Sequence, residues 1–278
     1  MVKLIGVGDN TVDTYIHTKT CFPGGNAVNV AVLAKRYGHS TAYLGWTGND
    51  ERGKLILDSL KSEQVDISRC RVVDDVSTAF SEVSLINGDR VFGRSESGAC
   101  ELIKLTAADY DYIKQFDIVH TSVFSHLEDQ IVDLKSSSRC LSFDFSQHLD
   151  RSYLEKILPH VDIALVSLAD VPVGEQDSLM RRIVSMGPSL VLMTRGKEGA
   201  WVFDGKQVYH QPVIPVEAVD TLGAGDAFAA RFLVEHTFGV PIPQAMLRAA
   251  ESASENCLHY GAYGYGIPCP GKEDDPTK

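Results

Sequence analysis

Short apolar runs closed by glycine or polar residues alternate, along nearly the whole chain, with stretches whose apolar positions recur every three or four residues. Residues 2–8 are apolar apart from Lys3 and end at Gly8, the pattern of a buried strand. From Asn26 to Tyr37, Val30, Leu33, Ala34 and Tyr37 fall on one helical face, and Gly38 supplies the C-terminal stop. The pattern then predicts a strand over 41–46 and a helix over 50–62. It returns later with strands at 116–121, 140–145, 161–167 and 189–194, separated by helices at 126–136, 151–158 and 174–186. Strands joined through helices build right-handed βαβ crossovers, and these lay down a parallel sheet covered on both faces. The predicted fold class is α/β, a doubly wound, mostly parallel sheet.

Two stretches break the rhythm. Residues 11–22 and 71–95 are strand-like but interrupted by polar residues, and Asn87-Gly88-Asp89 stands between two strand patterns as a hairpin turn. Together they predict a small discontinuous β-sheet standing off the main one as a lid over its C-terminal edge, where open α/β sheets bind ligands. Pattern alone equally allows a plain surface hairpin. The organisation expected is one domain over residues 1–262, with the lid drawn from 11–22 and 71–95. A Gly- and Pro-rich segment over 263–278 follows, with a frayed end.

Composition narrows the function classes. With 44% hydrophobic and 23% charged residues among 278, the chain can bury a large core and is not of the disordered kind. A formal net charge of −11 repels phosphate backbones and anionic lipid, so neither nucleic acid nor a membrane surface is expected as a partner. No apolar run reaches the roughly twenty residues that cross a bilayer, and the N-terminus lacks the apolar core of a signal peptide. The six cysteines include no Cys-x-x-Cys pair and read as free thiols of a reducing cytoplasm. His120, His126 and His148 match no metal-ligand spacing and read as solvated or core histidines.

The most informative string is Asp220-Thr221-Leu222-Gly223-Ala224-Gly225-Asp226, set before an apolar helix. Gly-Ala-Gly lets bare backbone approach a ligand, and the free N–H groups of a helix's first turn hold an anion such as a transferred phosphoryl group. Asp226 in the same turn suits a base that deprotonates an attacking hydroxyl. A shorter Gly-x-Gly-Asp would read as ordinary helix capping; the longer string in this setting favours function. Gly24-Gly25 precedes a helix that opens with Asn26 and Asn29, amides able to read sugar hydroxyls or merely to cap the helix. Asp9 and Asp13 follow the first strand and offer carboxylates to a polyol, or else a polar strand exit. Gly6-Val7-Gly8 lacks the third glycine of a dinucleotide fingerprint, and no Walker loop is present.

These strings resemble the signatures of the ribokinase-like, PfkB-type carbohydrate kinases, and the resemblance covers nearly the whole chain. Within that family the chain is most similar to fructoselysine 6-kinases, through Gly8-Asp9-Asn10, Asp89-Arg90-Val91-Phe92-Gly93, Phe143-Asp144-Phe145-Ser146 and Tyr260-Gly261-Ala262. The resemblance implies a ribokinase-like fold and ATP-dependent phosphorylation of a sugar hydroxyl with Mg2+. It implies Asp226 as catalytic base and the N–H groups of Gly223, Ala224 and Gly225 as anion hole. Asp9, Asp13, Gly25, Asn26 and Asn29 would face the sugar. Thr194, Gly196 and Gly199 match the nucleotide loop, with Gly223, Gly225 and Asn256 as further nucleotide contacts. A monovalent cation near Asp220 and a homodimer formed through the lid are carried over in the same way.

The family's Asn-x-x-Glu is replaced here by Ser167-Leu168-Ala169-Asp170, which leaves Asp170 as a shortened metal candidate. Arg231 stands where the family carries a small residue, and Arg94 where these kinases carry an acid. The expected substrate is a glycated amino acid such as fructoselysine, its amino-acid carboxylate paired by Arg90 or Arg94. The alternatives are a kinase for ribose, fructose, 2-keto-3-deoxygluconate or a nucleoside, and a non-catalytic sugar or nucleotide sensor on the same fold.

Overall fold

The computed structural model describes residues 1–86, 89–168 and 174–269, with the side chains of residues 85, 86, 89 and 90 outside that description. The first half of the chain runs β1 (Lys3–Val7), β2 (Thr11–Tyr15), β3 (Thr20–Gly24), α1 (Asn26–Arg36), β4 (Ser40–Leu44), β5 (Trp46–Gly48), α2 (Glu51–Ser62), β6 (Arg71–Val73), β7 (Phe80–Ile86), β8 (Asp89–Glu96) and α3 (Ala107–Ile113). It continues through β9 (Ile118–Ser122), α4 (Ile131–Ser137), β10 (Leu141–Asp144), α5 (Arg151–Ile157), β11 (Ile163–Ser167), α6 (Glu175–Ser185), β12 (Leu190–Thr194), β13 (Ala200–Phe203) and β14 (Val208–Gln211). Last come α7 (Ala224–Thr237), α8 (Ile242–Asn256) and β15 (Ile267–Pro268).

Eight strands form the main sheet in the order β14-β13-β12-β11-β10-β9-β1-β4. From β4 to β12 every neighbour is parallel, and β13 and β14 close one edge antiparallel. Because successive strand side chains point to opposite faces, each apolar run feeds two cores. Leu4, Leu165, Leu190 and Leu192 pack on one face with α1, α7 and α8. Ile5, Val166, Val191 and Met193 pack on the other with α3 to α6. This is the doubly wound α/β architecture that the alternation predicts.

A second sheet of five strands, β15-β3-β2-β7-β8, carries the stretches that broke the rhythm. Two boundaries differ from expectation. Residues 71–73 do not join this sheet; β6 pairs in parallel with β5, the strand just after β4, as a separate two-stranded piece. The segment from 263 onward is not a loose end over its described part, since β15 adds an antiparallel edge to β3. The Asn87-Gly88 turn lies outside the described residues, but β7 and β8 on either side pair antiparallel with Ile86 opposite Asp89. The helix expected from 126 begins only at Ile131, after His126 turns the chain with a left-handed φ of 54°.

The reading of all six cysteines as free thiols is corrected. Cys21 of β3 and Cys269 are joined as a disulfide, their Cα atoms 4.9 Å apart across 248 residues of sequence. Pairing of Ile267 with Cys21, and the Cys269 N–H donated to Lys19 O, bring the two together. Spacing along the chain gives no hint of such a contact. Cys70, Cys100 and Cys140 are free thiols. Among the described residues no helix is long and apolar enough to cross a membrane.

Candidate active site

The C-terminal ends of β1, β9, β10, β11 and β12 and the N-termini of α1 and α7 converge on one cleft of about 610 Å³, with β7 and β8 across from them. Parallel strands all deliver their C-terminal ends to the same rim, so residues distant in sequence meet there. Two glycines allow the helices to enter. Gly25, the N-cap of α1, has φ 106°, and a Cβ there would sit 2.5 Å from Asn10 Cα. Gly223, the N-cap of α7, has φ 77°, and its Cβ would sit 2.6 Å from that of Ala262. Both conformations belong to glycine.

Asp226 lies in the first turn of α7, half-buried and lining the cleft. Asn26 Nδ2 donates to its Oδ1 at 2.8 Å and Asn29 Nδ2 to its Oδ2 at 2.6 Å. Burial, with the charge of Asp144 adding to it, pushes the Asp226 carboxyl up to about 7 against the pull of the two amides. A second carboxylate faces it. Asn26 Nδ2 also donates to Asp144 Oδ2 at 2.9 Å, and burial lifts Asp144 to about 6. Asp9 is buried beside them and accepts from Ser122 Oγ, Ser125 Oγ and the Ala27 N–H. Its burial raises its pKa despite those bonds. Asp13, Gly25 and Asn29 line the same cleft.

The anion-binding turn differs in detail from expectation. The Ala224 N–H turns back onto Thr221 O at 3.3 Å, so it is not a free donor. The N–H groups of Gly225 and Asp226 occupy positions without an intrahelical acceptor, and both residues line the cleft. Asn256 Nδ2 donates to Leu222 O at 3.0 Å and braces the turn from α8; Asn256 is not among the residues lining the cleft. The Asp220 carboxylate accepts from Tyr15 Oη, the Gly261 N–H and the Leu222 N–H. Those bonds tie the lid, the closing segment and the turn before α7 together. Thr194 lines the cleft, whereas Gly196 and Gly199 shape the turn behind it with φ 51° and 98°.

Arg231 pairs with Glu235 at 2.8 Å and covers the Tyr37 ring, away from the cleft. Arg94 pairs with Glu96 and lies over Phe80, its side chain 67% exposed; Glu96 and Phe80 line the cleft. The Arg90 side chain and Asp170 lie outside the described residues. Asp144 and Asn10 stood in the sequence only within strings that carry the resemblance, and His120 read as a solvated or core histidine, so none of the three was given a part in the site. Asp144 ends a strand at the cleft rim, the one signal that would have marked it. Nothing local marks His120.

The sequence matches the pfkB family carbohydrate kinases over residues 1–268. The chain is a PfkB-family carbohydrate kinase. It is 41% identical to the fructosamine kinase FrlD of Bacillus subtilis strain 168 over 270 residues, which cover 96% of this chain and 95% of the other. It is 36% identical to the fructoselysine 6-kinase of Escherichia coli K12, across 95% of this chain and all of that one. The structure of an Arabidopsis thaliana ribokinase complexed with ribose and ATP superposes with a TM-score of 0.81 at 22% identity, covering 95% of each chain. The fold of this kinase is therefore ribokinase-like, and its reaction is ATP-dependent phosphorylation of a sugar.

Proposed function

We propose that this kinase phosphorylates a fructosamine, a ketose joined through nitrogen to an amino acid, with fructoselysine as the leading candidate and its 6-hydroxyl as acceptor. The observation that carries the catalytic half of the reading is Asp226. It faces the cleft at the N-terminus of α7, held by two amides, with its carboxyl raised to about 7. A base with a pKa near the working pH removes a hydroxyl proton most effectively. Asp226 takes the proton of the acceptor hydroxyl as that oxygen bonds to the γ-phosphorus and the bond to ADP breaks. The N–H groups of Gly225 and Asp226, at the positive end of the α7 dipole, stabilise charge on the phosphoryl oxygens. Asp9, Asp13 and the amides of α1 orient the sugar.

Magnesium takes hard oxygen ligands, mostly phosphate and water, and needs only one or two carboxylates. Asp144, with Ser146, Ser167 and Thr194 on the same wall, offers an all-oxygen donor set of that kind. The ion would neutralise phosphate charge there.

The substrate half rests on relatives that are fructosamine and fructoselysine kinases and on the lid. Glu96 lines the cleft and pairs with the exposed Arg94 beside it, opposite charges that match the ammonium and carboxylate of an amino acid. A homodimer through the lid is supported by Phe92, 59% exposed on the edge strand β8. A cytoplasmic location is supported by the reaction's need for ATP. The reading is tested by ADP release with fructoselysine, other fructosamines, fructose, ribose, 2-keto-3-deoxygluconate and nucleosides. The fructosamines should give the highest kcat/KM, and a clear preference for any other compound removes the assignment.

A further inference from the structure

Asn26 is shared between two carboxylates, and that sharing has a geometric requirement. Its amide nitrogen carries two hydrogens, one given to Asp226 Oδ1 at 2.8 Å and one to Asp144 Oδ2 at 2.9 Å. The amide oxygen is then the only group left to face inward, and it meets His120 Nε2 at 2.7 Å. An amide oxygen only accepts, so Nε2 must bear the proton. The other ring nitrogen, Nδ1, becomes an acceptor for the Ser142 hydroxyl 3.1 Å away. His120 on β9 and Ser142 on β10 are direct partners in the parallel ladder, which fixes the ring between them.

We propose that His120 is a positioning residue for phosphoryl transfer: its Nε2–H holds the Asn26 amide in the one orientation that aims N–H groups at both Asp226 and Asp144.

Turned over, the Asn26 amide would point its oxygen at two carboxylates, a repulsive arrangement that would also cost Asp226 a hydrogen bond to its charged form. The Ser142 hydroxyl can donate or accept and so serves either tautomer of the ring; the choice is made from the Asn26 side. His120 is fully buried and burial pushes its own pKa down to about 3, so the ring stays neutral wherever the enzyme works. The groups that act on Asp226 are therefore Asp144 from β10, Asp9 after β1, and the amides of Asn26 and Asn29 from α1. Asp13 of β2 lines the same cleft. His120 adds no charge to this set. It acts by fixing which end of Asn26 the carboxylates see.

The proposal rests on Asp226 being the base, and its test separates the two claims. With whichever sugar the wild type turns over fastest, His120→Met removes the donor while keeping the bulk, and His120→Gln returns an N–H near the Nε2 position. His120→Met should lose about 10- to 100-fold in kcat with KM for ATP held within about twofold, since a hydrogen bond to a charge is lost. The acid limb of its kcat profile should move up by about one pH unit. His120→Gln should recover much of kcat and bring the limb back. An unmoved limb in His120→Met overturns the proposal, as does equal damage in both variants with unchanged limbs, the mark of a merely structural residue. Nitrogen-15 spectra of the wild type at pH 8 check the same point without a variant: an Nε2–H tautomer supports it, and an Nδ1–H tautomer overturns it. If Asp226→Asn is inactive while His120→Met behaves as wild type, this inference alone falls; an active Asp226→Asn removes the base itself.

Discussion

The two walls of the cleft are built to opposite rules. On the sheet side, Asp226, Asp144 and Asp9 are held by Asn26, Asn29, Ser122 and Ser125 at 2.6 to 2.9 Å, and burial raises all three pKa values. On the lid side, Arg94 and Glu96 satisfy each other at the solvent-exposed rim of the five-stranded sheet. The first wall is pre-organised, so its groups do not reorganise during the reaction. The second carries charges whose present partner is easily exchanged, since exposed ion pairs contribute little. The contrast fits the proposed function, with chemistry assigned to the sheet wall and discrimination between substrates to the lid.

That division can be broken most sharply at Asp226. Asp226→Asn should lower kcat by about a thousandfold while ATP affinity, read by calorimetry, stays within about twofold; a fully active variant would place the base elsewhere. The same substitution should make the fold more stable. An acid whose native pKa lies above its unfolded value binds its proton more tightly when folded, so stability falls as pH rises from 3.8 to about 7. Above that range Asp226→Asn removes a buried charge, and the unpartnered Asn29 Oδ1 can accept from the new amide. Its Tm at pH 8 should rise by about 2–4 °C.

Next in size is the pH profile of the wild type. Because Asp226 must be ionised to act, kcat/KM should rise about tenfold per unit up to about pH 7 and then level. An acid limb near pH 4 would mean that the base is not held in the desolvated setting described. On the lid wall the effects should be smaller and confined to binding. Arg94→Ala should raise KM for fructoselysine about tenfold, the loss of one charge-assisted contact, and leave KM for free fructose unchanged. Equal changes for both sugars would deny the lid its discriminating role. Cys269→Ser should leave the sheet wall's pH profile intact while lowering Tm, because releasing β15 from β3 frees about 2–4 kcal/mol of chain restriction. An unchanged Tm would show that the tether contributes nothing to the lid's hold on the body.

Much of the first wall was legible from sequence. The Asp220–Asp226 string and the Gly24-Gly25-Asn26 opening of α1 announce helix N-termini with bare backbone, because glycine and capping chemistry act within a few residues. What those strings concealed was the division of labour inside them. Asp220 reads as a ligand and proves to be a joint between Tyr15, Leu222 and Gly261. Ala224 reads as an anion donor and gives its N–H to Thr221. Asn256 reads as a nucleotide contact and supports Leu222 instead. Each of these hydrogen bonds has a partner set by a turn or a neighbouring helix.

The chain by itself determined its layers and its two helix entrances, because alternation of apolar runs and glycine placement are local properties that each segment expresses alone. Only the tertiary structure decided that Asp144 would face Asp226, that His120 would stand behind Asn26, and that Cys21 would meet Cys269. Those encounters depend on strand order and register across the sheets, and no local periodicity records which distant strand will become a neighbour.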